Sequence, residues 1–301
     1  MPPVGRRTRA QAHLTAVPDG QLNILPIEAG DLVRMFLYSY PGWGKTSLLS
    51  TGAAKYKTLI IHSSMDLIPR RALASGAHHI IADTHETMLE ILEHARMDPA
   101  FDYEWVWWDC VSIAQDVLLD DVWEASWRNK PGRNWILDAA GKPTTKPNIS
   151  PTGGKDKPEY GTNADRIQMW VRHMVGCKRF NFGMTAHPVE GPHPTNDEGG
   201  DVLRPYVQVK QMTEKLCGYC NMVGFLEVLD EEKDGNTPRR LHFKENSRFY
   251  AKDLYDAFLP EGYLDEPTMP KIMDAIERAK KSGMTAPTQT AGRGRRGATR
   301  R

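Results

Sequence analysis

The chain has 301 residues, 40% of them hydrophobic, and a formal net charge of +1. Such a length suits one large α/β domain with tails or two small domains. There is no run of about 18 apolar residues and no apolar N-terminal stretch, so we expect a soluble, cytoplasmic protein without membrane contact. Eight basic and no acidic residues lie between Arg278 and Arg301, which leaves 31 basic against 38 acidic residues elsewhere. This balance excludes a broadly cationic body and restricts nucleic-acid binding to a local groove or the tail.

The predicted elements alternate as in a parallel α/β sheet. A flexible polar arm is expected over residues 1–20, a domain over residues 21–281 and a disordered basic tail over residues 282–301. Strands are predicted over residues 33–38, 58–62, 79–82, 104–109 and 180–186. Helices are predicted over residues 45–55, 66–75, 85–96, 111–127, 163–176, 208–219 and 267–281. A β-hairpin with arms over residues 222–229 and 239–244 precedes the last helix.

A glycine-rich loop joins the first strand to the first helix. The loop and the start of its helix comprise Ser39, Tyr40, Pro41, Gly42, Trp43, Gly44, Lys45, Thr46 and Ser47. In such a loop the backbone N–H groups and the positive helix N-terminus face phosphate oxygens. Lys45 then reaches the β- and γ-phosphates, and Thr46 offers its hydroxyl to Mg²⁺. Ser39 stands where the pattern has its first glycine. We expect the loop to accept serine there because serine is small. The segment therefore predicts binding of a nucleoside triphosphate.

The strand over residues 104–109 ends in an acidic residue, Asp109. Its apolar run is typical of a central parallel strand covered by helices on both faces. The carboxyl end of such a strand lies where open α/β sheets bind ligands. We expect Asp109 to hold a water on Mg²⁺ opposite the Thr46 hydroxyl. The alternative is a helix N-cap.

Two proline-rich segments, residues 128–158 and 188–204, are expected as long loops. The first is the better candidate for nucleic-acid binding, because it is rich in cations and has aromatic residues beside it and within it that could stack on bases. Its cations include Arg128, Lys130 and Arg133, and the aromatic residues are Trp127 and Trp135. The alternative is an ordinary solvated loop. The second loop carries four acidic residues against Arg204, which makes it a poor phosphate cradle.

The strand over residues 180–186 ends in Thr185-Ala186-His187. If it lies beside the strand that ends at Asp109, Thr185 or His187 would face the γ-phosphate. An imidazole there could sense that phosphate, and the alternative is a histidine that caps the strand without a ligand. Cys217 and Cys220 have the spacing of a zinc or redox pair, but no second pair accompanies them, which favours core cysteines.

The tail contains the clearest cationic run of the chain, with Arg293, Arg295 and Arg296. Such a run binds nucleic acid without sequence preference and with strong salt dependence. The alternative is a terminus that only increases solubility.

In combination, these features resemble a known family. The features are the Pro-Gly-x-Gly-Lys-Thr loop, the strand that ends at Asp109, Tyr160-Gly161 before a helix, the Thr185-Ala186-His187 strand end, and Ala251-Lys252-Asp253. They resemble the bacteriophage RecA-like P-loop ATPases, which include single-strand annealing recombinases. The resemblance spans about residues 30–277. It implies a RecA-like α/β core with a mostly parallel sheet, ATP with Mg²⁺, a homo-oligomeric ring or filament on single-stranded DNA, and a place in the host cytoplasm.

The resemblance also implies residue roles. Lys45 and Thr46 bind phosphate and metal, Asp109 is the second acidic group, and His187 takes the position of the γ-phosphate sensor. Lys252 lies where the lysine of a neighbouring subunit reaches the phosphate in trans. The alternative interpretation is that Lys252 is simply an exposed lysine at a strand end.

Two positions depart from the family pattern. The family's water-activating glutamate falls near Ser64, where Asp66 is the acid that could replace it. The family's Ala-Lys-Asp-Arg ends here in Leu254, which removes one cation. Loss of a general base costs about a hundredfold in rate, so hydrolysis is expected to be slow or partner-dependent.

The predicted function is ATP hydrolysis coupled to single-stranded DNA in phage recombination or replication. One alternative is an ATP-switched loader or scaffold for single-strand-binding or other replication proteins, with little hydrolysis. A further alternative is a small-molecule kinase, which would need an arginine-rich lid.

Overall fold

The structure is a computed structural model that describes residues 32–129, 135–137, 140, 143–147, 157–194, 200–208, 210–229 and 237–282. All of them belong to the unit that begins at Leu32. The predicted arm over residues 1–20 and nearly all of the predicted tail lie outside the described residues, and so do Lys130, Arg133, Arg293, Arg295 and Arg296. The backbone of Arg128 lies in the last turn of a helix, but its side chain is not among the parts that the structure describes.

Thirteen strands are found in the described residues. They are β1 (Arg34–Tyr38), β2 (Thr58–His62), β3 (His78–Ile81), β4 (Trp105–Trp108), β5 (Trp135–Leu137), β6 (Pro143–Pro147), β7 (Asn181–Ala186), β8 (Pro188–Pro192), β9 (Asp201–Pro205), β10 (Met222–Val228), β11 (Arg239–His242), β12 (Lys252–Asp253) and β13 (Tyr263–Asp265). Nine of them form the central sheet in the order β13-β11-β10-β1-β7-β4-β2-β3, with β12 on β10.

The pairs from β10 to β3 are all parallel, and β11, β12 and β13 join antiparallel. The mixed α/β fold with a mostly parallel sheet, predicted from the sequence, is therefore confirmed. The predicted hairpin is also confirmed as β10 and β11, although its turn falls outside the described residues.

Seven helices accompany the strands in the same described ranges. They are α1 (Lys45–Ser50), α2 (Arg70–Leu73), α3 (His85–Met97), α4 (Val111–Asn129), α5 (Lys157–Gly176), α6 (Lys210–Tyr219) and α7 (Met269–Lys281). Threonine side chains cap two of them: Thr84 accepts from the N–H of Thr87 at the start of α3, and Thr268 accepts from Lys271 at the start of α7. None of the helices in these ranges has both the length and the apolar character needed to cross a membrane.

The core has two layers because β4 is covered on both faces. Successive side chains of a strand point to opposite faces. Val106 and Trp108 accordingly belong to the layer formed with α3, α4, α5 and α6, whereas Trp105 and Trp107 belong to the layer formed with α1 and α7. Trp107 lies over Gly183 of β7, where an added Cβ would come within 2.1 Å of the indole ring.

Three sequence predictions about elements were wrong. The helix predicted over residues 66–75 is only α2, because Pro69 is extended and disfavours helix in the residue before it. Residues 188–204 contain the antiparallel strands β8 and β9, which the Tyr38 hydroxyl anchors by donating to the Leu203 carbonyl at 2.9 Å. The helix predicted to begin at residue 163 begins at Lys157, so Tyr160 and Gly161 lie inside α5.

Smaller differences concern the first helix and the first loop. The helix predicted over residues 45–55 is α1 followed by a 3-10 turn over Thr51–Ala54. Within the segment predicted as a loop over residues 128–158, β5 and β6 pair in antiparallel fashion.

Candidate active site

The loop between β1 and α1 is curled so that its backbone can surround an anion. Gly42 and Gly44 have φ values of 79° and 98°, a conformation that glycine adopts without steric cost. Ser39 is buried, and its N–H donates to the Ala186 carbonyl of β7 at 3.2 Å. A small first residue fits this buried position, which explains how serine replaces glycine.

The Lys45 side chain spans this loop. Its Nζ donates to the Ser39 carbonyl at 2.7 Å and to the Tyr40 carbonyl at 3.3 Å, and only 7% of the residue is exposed. Burial lowers the pKa of Lys45, while the nearby acidic groups Asp109 and Asp66 counteract that shift. The loop thus holds an ammonium group that has acidic side chains around it.

Asp109 lies directly against the phosphate loop. Its Oδ2 accepts from the Thr46 hydroxyl at 2.5 Å, and its Oδ1 accepts from the Thr185 hydroxyl. The structure places Asp109 in contact with Thr46, although the two residues are 63 positions apart in sequence. The role of Asp109 toward Mg²⁺ stays a prediction. The condition set in the sequence analysis, that β7 lies beside the strand before Asp109, is met. The residue is 3% exposed.

The donor set at this position fits Mg²⁺. Hydroxyl and carboxylate oxygens are hard ligands, and Mg²⁺ is commonly bound by one or two such side chains together with water and substrate phosphates. Thr46 and Asp109 would be those side chains, since their oxygens already meet.

Asp66 belongs to the same site. Its Oδ2 accepts from the N–H groups of Ser63 and Cys110 at 3.2 and 3.3 Å. Burial, and then repulsion from Asp109, raises the pKa of Asp66 to about 6. The bend after β2 therefore turns Asp66 toward Asp109, while Ser64 remains exposed.

Asp83 holds this bend from the neighbouring strand end. Its Oδ1 accepts from the Ser63 hydroxyl at 3.1 Å and from the Ser64 N–H at 2.8 Å. The sequence analysis assigned no role to Asp83. A signal was present, because Asp83 follows the end of β3 much as Asp109 follows the end of β4.

His187 lies beside Cys110, with its Nε2 3.9 Å from the Cys110 Sγ. Its backbone N–H donates to the Ser112 hydroxyl at 2.9 Å. Burial, and then the positive charge of Lys45, lowers the pKa of His187, so the imidazole is neutral near pH 7. A role as γ-phosphate sensor stays a prediction, and Thr185 is the residue of this strand end that bonds to Asp109.

Two further histidines support Asp109 from behind. His62 Nδ1 is 3.1 Å from the Asp109 carbonyl oxygen, and His62 Nε2 is 2.8 Å from His79 Nδ1. The two rings stack at 5.0 Å. Burial lowers the pKa of His62. His62 is the last residue of β2 and His79 the second residue of β3, and the sequence analysis assigned neither a functional role.

A cleft of about 300 Å³ adjoins the loop on the side of α1. Gly44, Ser47, Thr51 and the guanidinium-bearing residues Arg71 and Arg239 are among the residues that line it. Arg239 Nε donates to the carbonyl of Trp43 at 3.1 Å, which ties β11 to the phosphate loop. Sequence reasoning found neither arginine, because they come from separate elements.

Other predicted residues are not brought to this site. Lys252 pairs with the beginning of β10, away from the loop, and its Nζ donates to the carbonyls of Cys217 and Cys220 at 3.4 and 2.8 Å. Its role in trans stays a prediction. Cys217 and Cys220 are buried free thiols. Burial raises the pKa of Cys220 to about 12, which suits core cysteines that do not react.

The aromatic residues of the loop pack on each other and on the sheet. Tyr40 and Trp43 meet edge to face at 4.8 Å, and Trp43 lies 6.2 Å from Phe225 of β10. The strand β1, the curled loop and the acid that follows β4, one strand beyond β7, have the arrangement that a phosphate-binding site of the P-loop type requires, in a mostly parallel α/β fold.

Comparisons with known proteins add little to this description. A scan against protein-family models gives no match, and a search of curated proteins gives none. Among solved structures, a KaiC-like protein from the archaeon Pyrococcus horikoshii is similar over 78% of this chain and 89% of its own, with 11% identity and a TM-score of 0.39. A RadB recombinase is similar over 77% of this chain and 86% of its own, with 10% identity and a TM-score of 0.38. Both likenesses are too distant to bear on function.

Proposed function

We propose that the protein binds ATP with Mg²⁺ at the phosphate loop and hydrolyses it, as a RecA-like ATPase that acts on single-stranded DNA. The observation that carries the proposal is the 2.5 Å bond between Thr46 Oγ1 and Asp109 Oδ2. A loop of this sequence binds phosphate, and an acid in contact with its threonine completes the ligand pair that Mg²⁺ needs.

The triphosphate would enter the curled loop, where Lys45 already points inward. Backbone N–H groups at the start of α1 would bind the phosphates, and Lys45 would donate to the outer phosphate oxygens. The nucleoside would extend into the cleft beside α1. Its volume of about 300 Å³ is at the small end of ligand sites. Arg71 and Arg239 could stack on a base or bind the α-phosphate there.

Thr46 and Asp109 would hold Mg²⁺, which supplies neutralisation of the charge that develops on the phosphate oxygens. Asp66 would accept the proton of the attacking water. A carboxylate with a pKa of about 6 is deprotonated at neutral pH and is more basic than an ordinary aspartate. Asp83 would position Asp66 by holding the bend at Ser63 and Ser64.

A second candidate is an ATP-switched loader or scaffold with little turnover. Two observations favour it. The Asp66 oxygen that faces Cys110 already accepts two N–H groups, and aspartate is shorter than the glutamate of the family pattern. Both candidates predict ATP binding, and they differ only in hydrolysis.

Binding and turnover can be separated by one set of variants. We expect Lys45→Ala to abolish binding of a fluorescent ATP analogue, and Asp66→Asn to keep binding but lose phosphate release. Lys55→Ala, a matched change of an exposed lysine beyond α1, should leave both unchanged. Unaltered ATP binding in Lys45→Ala would overturn the proposal. If the wild-type protein binds ATP but releases no phosphate, with or without single-stranded DNA, the ATPase is excluded and the ATP-switched loader is the function that remains.

The assembly on DNA has a separate test. Electron microscopy of the protein with single-stranded DNA and a non-hydrolysable ATP analogue should give rings or filaments, and Lys45→Ala should give none. Dispersed particles under every condition would contradict the homo-oligomeric, recombinase-like role.

A further inference from the structure

A group of basic side chains surrounds a cleft of about 270 Å³ between the ends of α3 and α5. The cationic cleft, as we call it, is lined by Arg96, Arg172, His173, Lys178 and Arg179. It lies at the end of the sheet opposite the phosphate loop, because Lys178 and Arg179 precede β7 whereas Thr185 near its far end contacts Asp109. A six-residue strand separates the two ends by roughly 20 Å.

The charges of the cationic cleft are accessible, and one of them is fixed. Arg96, Arg172, Lys178 and Arg179 are all exposed. The Arg179 guanidinium donates to the carbonyls of Ala95 and Phe101 at 3.1 and 2.8 Å, which holds it at the end of α3. A preorganised guanidinium loses less side-chain freedom when it meets an anion.

Stabilisation of helix ends accounts for only part of this charge. The carboxyl ends of α3 and α5 meet here, and each carries about half a negative charge. Asp98 is also nearby: the Ala100 N–H, His94 and the charge of Arg179 all lower its pKa. Together these offset about two of the four permanent positive charges. A surplus of about two charges remains on a chain whose acids outnumber its bases outside the tail.

We propose that the cationic cleft binds backbone phosphates of single-stranded DNA. The choice of single-stranded DNA as the ligand rests on the proposed function. The new element is the surface that binds it, which is remote from the nucleotide site. Guanidinium and ammonium groups pair with phosphate oxygens, and a concave surface of this size admits one or two phosphate groups. The described residues that line the cleft include no phenylalanine, tyrosine or tryptophan, so we expect contact mainly to the backbone, with little base preference.

The test compares two triple variants of the full chain. The first carries Arg96→Gln, Arg172→Gln and Lys178→Gln. The control carries Lys55→Gln, Arg248→Gln and Lys271→Gln, which removes the same number of exposed charges outside both the cleft and the basic tail. Binding to a fluorescein-labelled oligothymidylate is measured by anisotropy across a salt series. The cleft variant should bind roughly 10- to 100-fold more weakly, with the slope of log K against log salt reduced by about 2, because each lost phosphate contact reduces it by about 0.7.

Several outcomes would overturn the proposal. Equal losses in both triple variants would assign binding to net charge, and wild-type binding in the cleft variant would assign it to other parts of the chain. Loss of binding to phosphatidylserine vesicles without loss of DNA binding would make the cleft a lipid-binding surface.

ATP binding separates this proposal from the proposed function. The cleft variant should bind a fluorescent ATP analogue as wild type does, and loss of both ligands would contradict a remote site. If Lys45→Ala instead leaves ATP binding intact, the proposed function fails, while the comparison of the two triple variants still decides the DNA surface.

Discussion

The two acidic groups of the site are held in different ways. Asp109 follows a central strand, and hydroxyls from α1 and β7 bond to its two oxygens. Asp66 lies in an irregular bend, and backbone N–H groups from Ser63 and Cys110 bond to one of its oxygens. The half of the site suited to phosphate and metal is thus carried by regular elements, whereas the half suited to activating water depends on a loop.

Because of this difference, we expect the two halves of the site to differ in how much structural change they tolerate. Helix and strand positions are set by the buried core, so the Thr46–Asp109 contact is as stable as the sheet itself. The bend around Asp66 is set by a few polar bonds, chiefly those of Asp83. We therefore expect turnover to vary more easily than ATP binding.

The largest effect is expected from Asp109→Asn. An amide keeps the shape but loses the charge that the metal requires, so Mg²⁺-dependent turnover should fall by roughly 10²–10³. Phosphate release in a magnesium titration measures it. Asp102→Asn, an exposed aspartate before β4, serves as the control and should behave as wild type. Equal turnover in Asp109→Asn and wild type would show that Asp109 has no role in hydrolysis.

Asp66→Asn should reduce turnover by about a hundredfold and leave ATP affinity unchanged, because only the general base is lost. Phosphate release and equilibrium binding are measured side by side. Asp66→Glu, which restores an acid, should recover part of the rate. A variant in which affinity falls as far as turnover would show that the two halves of the site are not separable.

Gly183→Ala tests the packing of β7, the strand that brings Thr185 to Asp109, against β4. A Cβ there would lie 2.1 Å from the Trp107 ring, so β7 or the indole must shift at a cost of about 1–3 kcal/mol in the free energy of unfolding. Urea denaturation measures this cost. Gly218→Ala in α6, where nothing lies within 4 Å of the added carbon, is the control and should not destabilise. Similar stability of the two variants would contradict the close packing of β7 on β4.

The smallest effects concern pH and come from Asp66. Its pKa of about 6 in the folded protein lies above the ordinary value of 3.8. A general base must be deprotonated, so turnover should fall about tenfold per pH unit below about pH 6 and reach a plateau above it.

The stability effect of this group has the opposite direction. Because the folded state binds the proton more tightly, the contribution of Asp66 to stability is favourable below about pH 4 and is lost as the pH rises through about 6. Asp66→Asn should therefore raise the melting temperature at pH 7.5 without nucleotide. An unchanged or lower melting temperature would contradict the burial of an ionised Asp66.

Local sequence patterns determined the elements that carry the site. The apolar run before Ser39, the glycines at positions 42 and 44, and Lys45-Thr46 predict a strand, a curled loop and a helix, because each depends only on neighbouring residues. The strand before Asp109 was predictable for the same reason: its continuous apolar run indicates two covered faces. By contrast, the β8–β9 pair was not predicted, since it depends on distant contacts such as that of Tyr38 with Leu203. The short α2 was missed although its cause, Pro69, is local.

Only the tertiary structure decided which chemical groups meet. Whether β7 lies between β1 and β4 depends on the order of strands in the sheet, which no local pattern encodes, and that order brings Thr185 to Asp109. The same holds for Asp83 on Ser64, for Arg239 on the phosphate loop and for the cations gathered between the ends of α3 and α5. By itself, the sequence determined that a glycine-rich loop with the pattern of a phosphate-binding loop and an acidic strand end exist. Burial of the two apolar faces of the sheet decided the strand order and thereby which residues surround them.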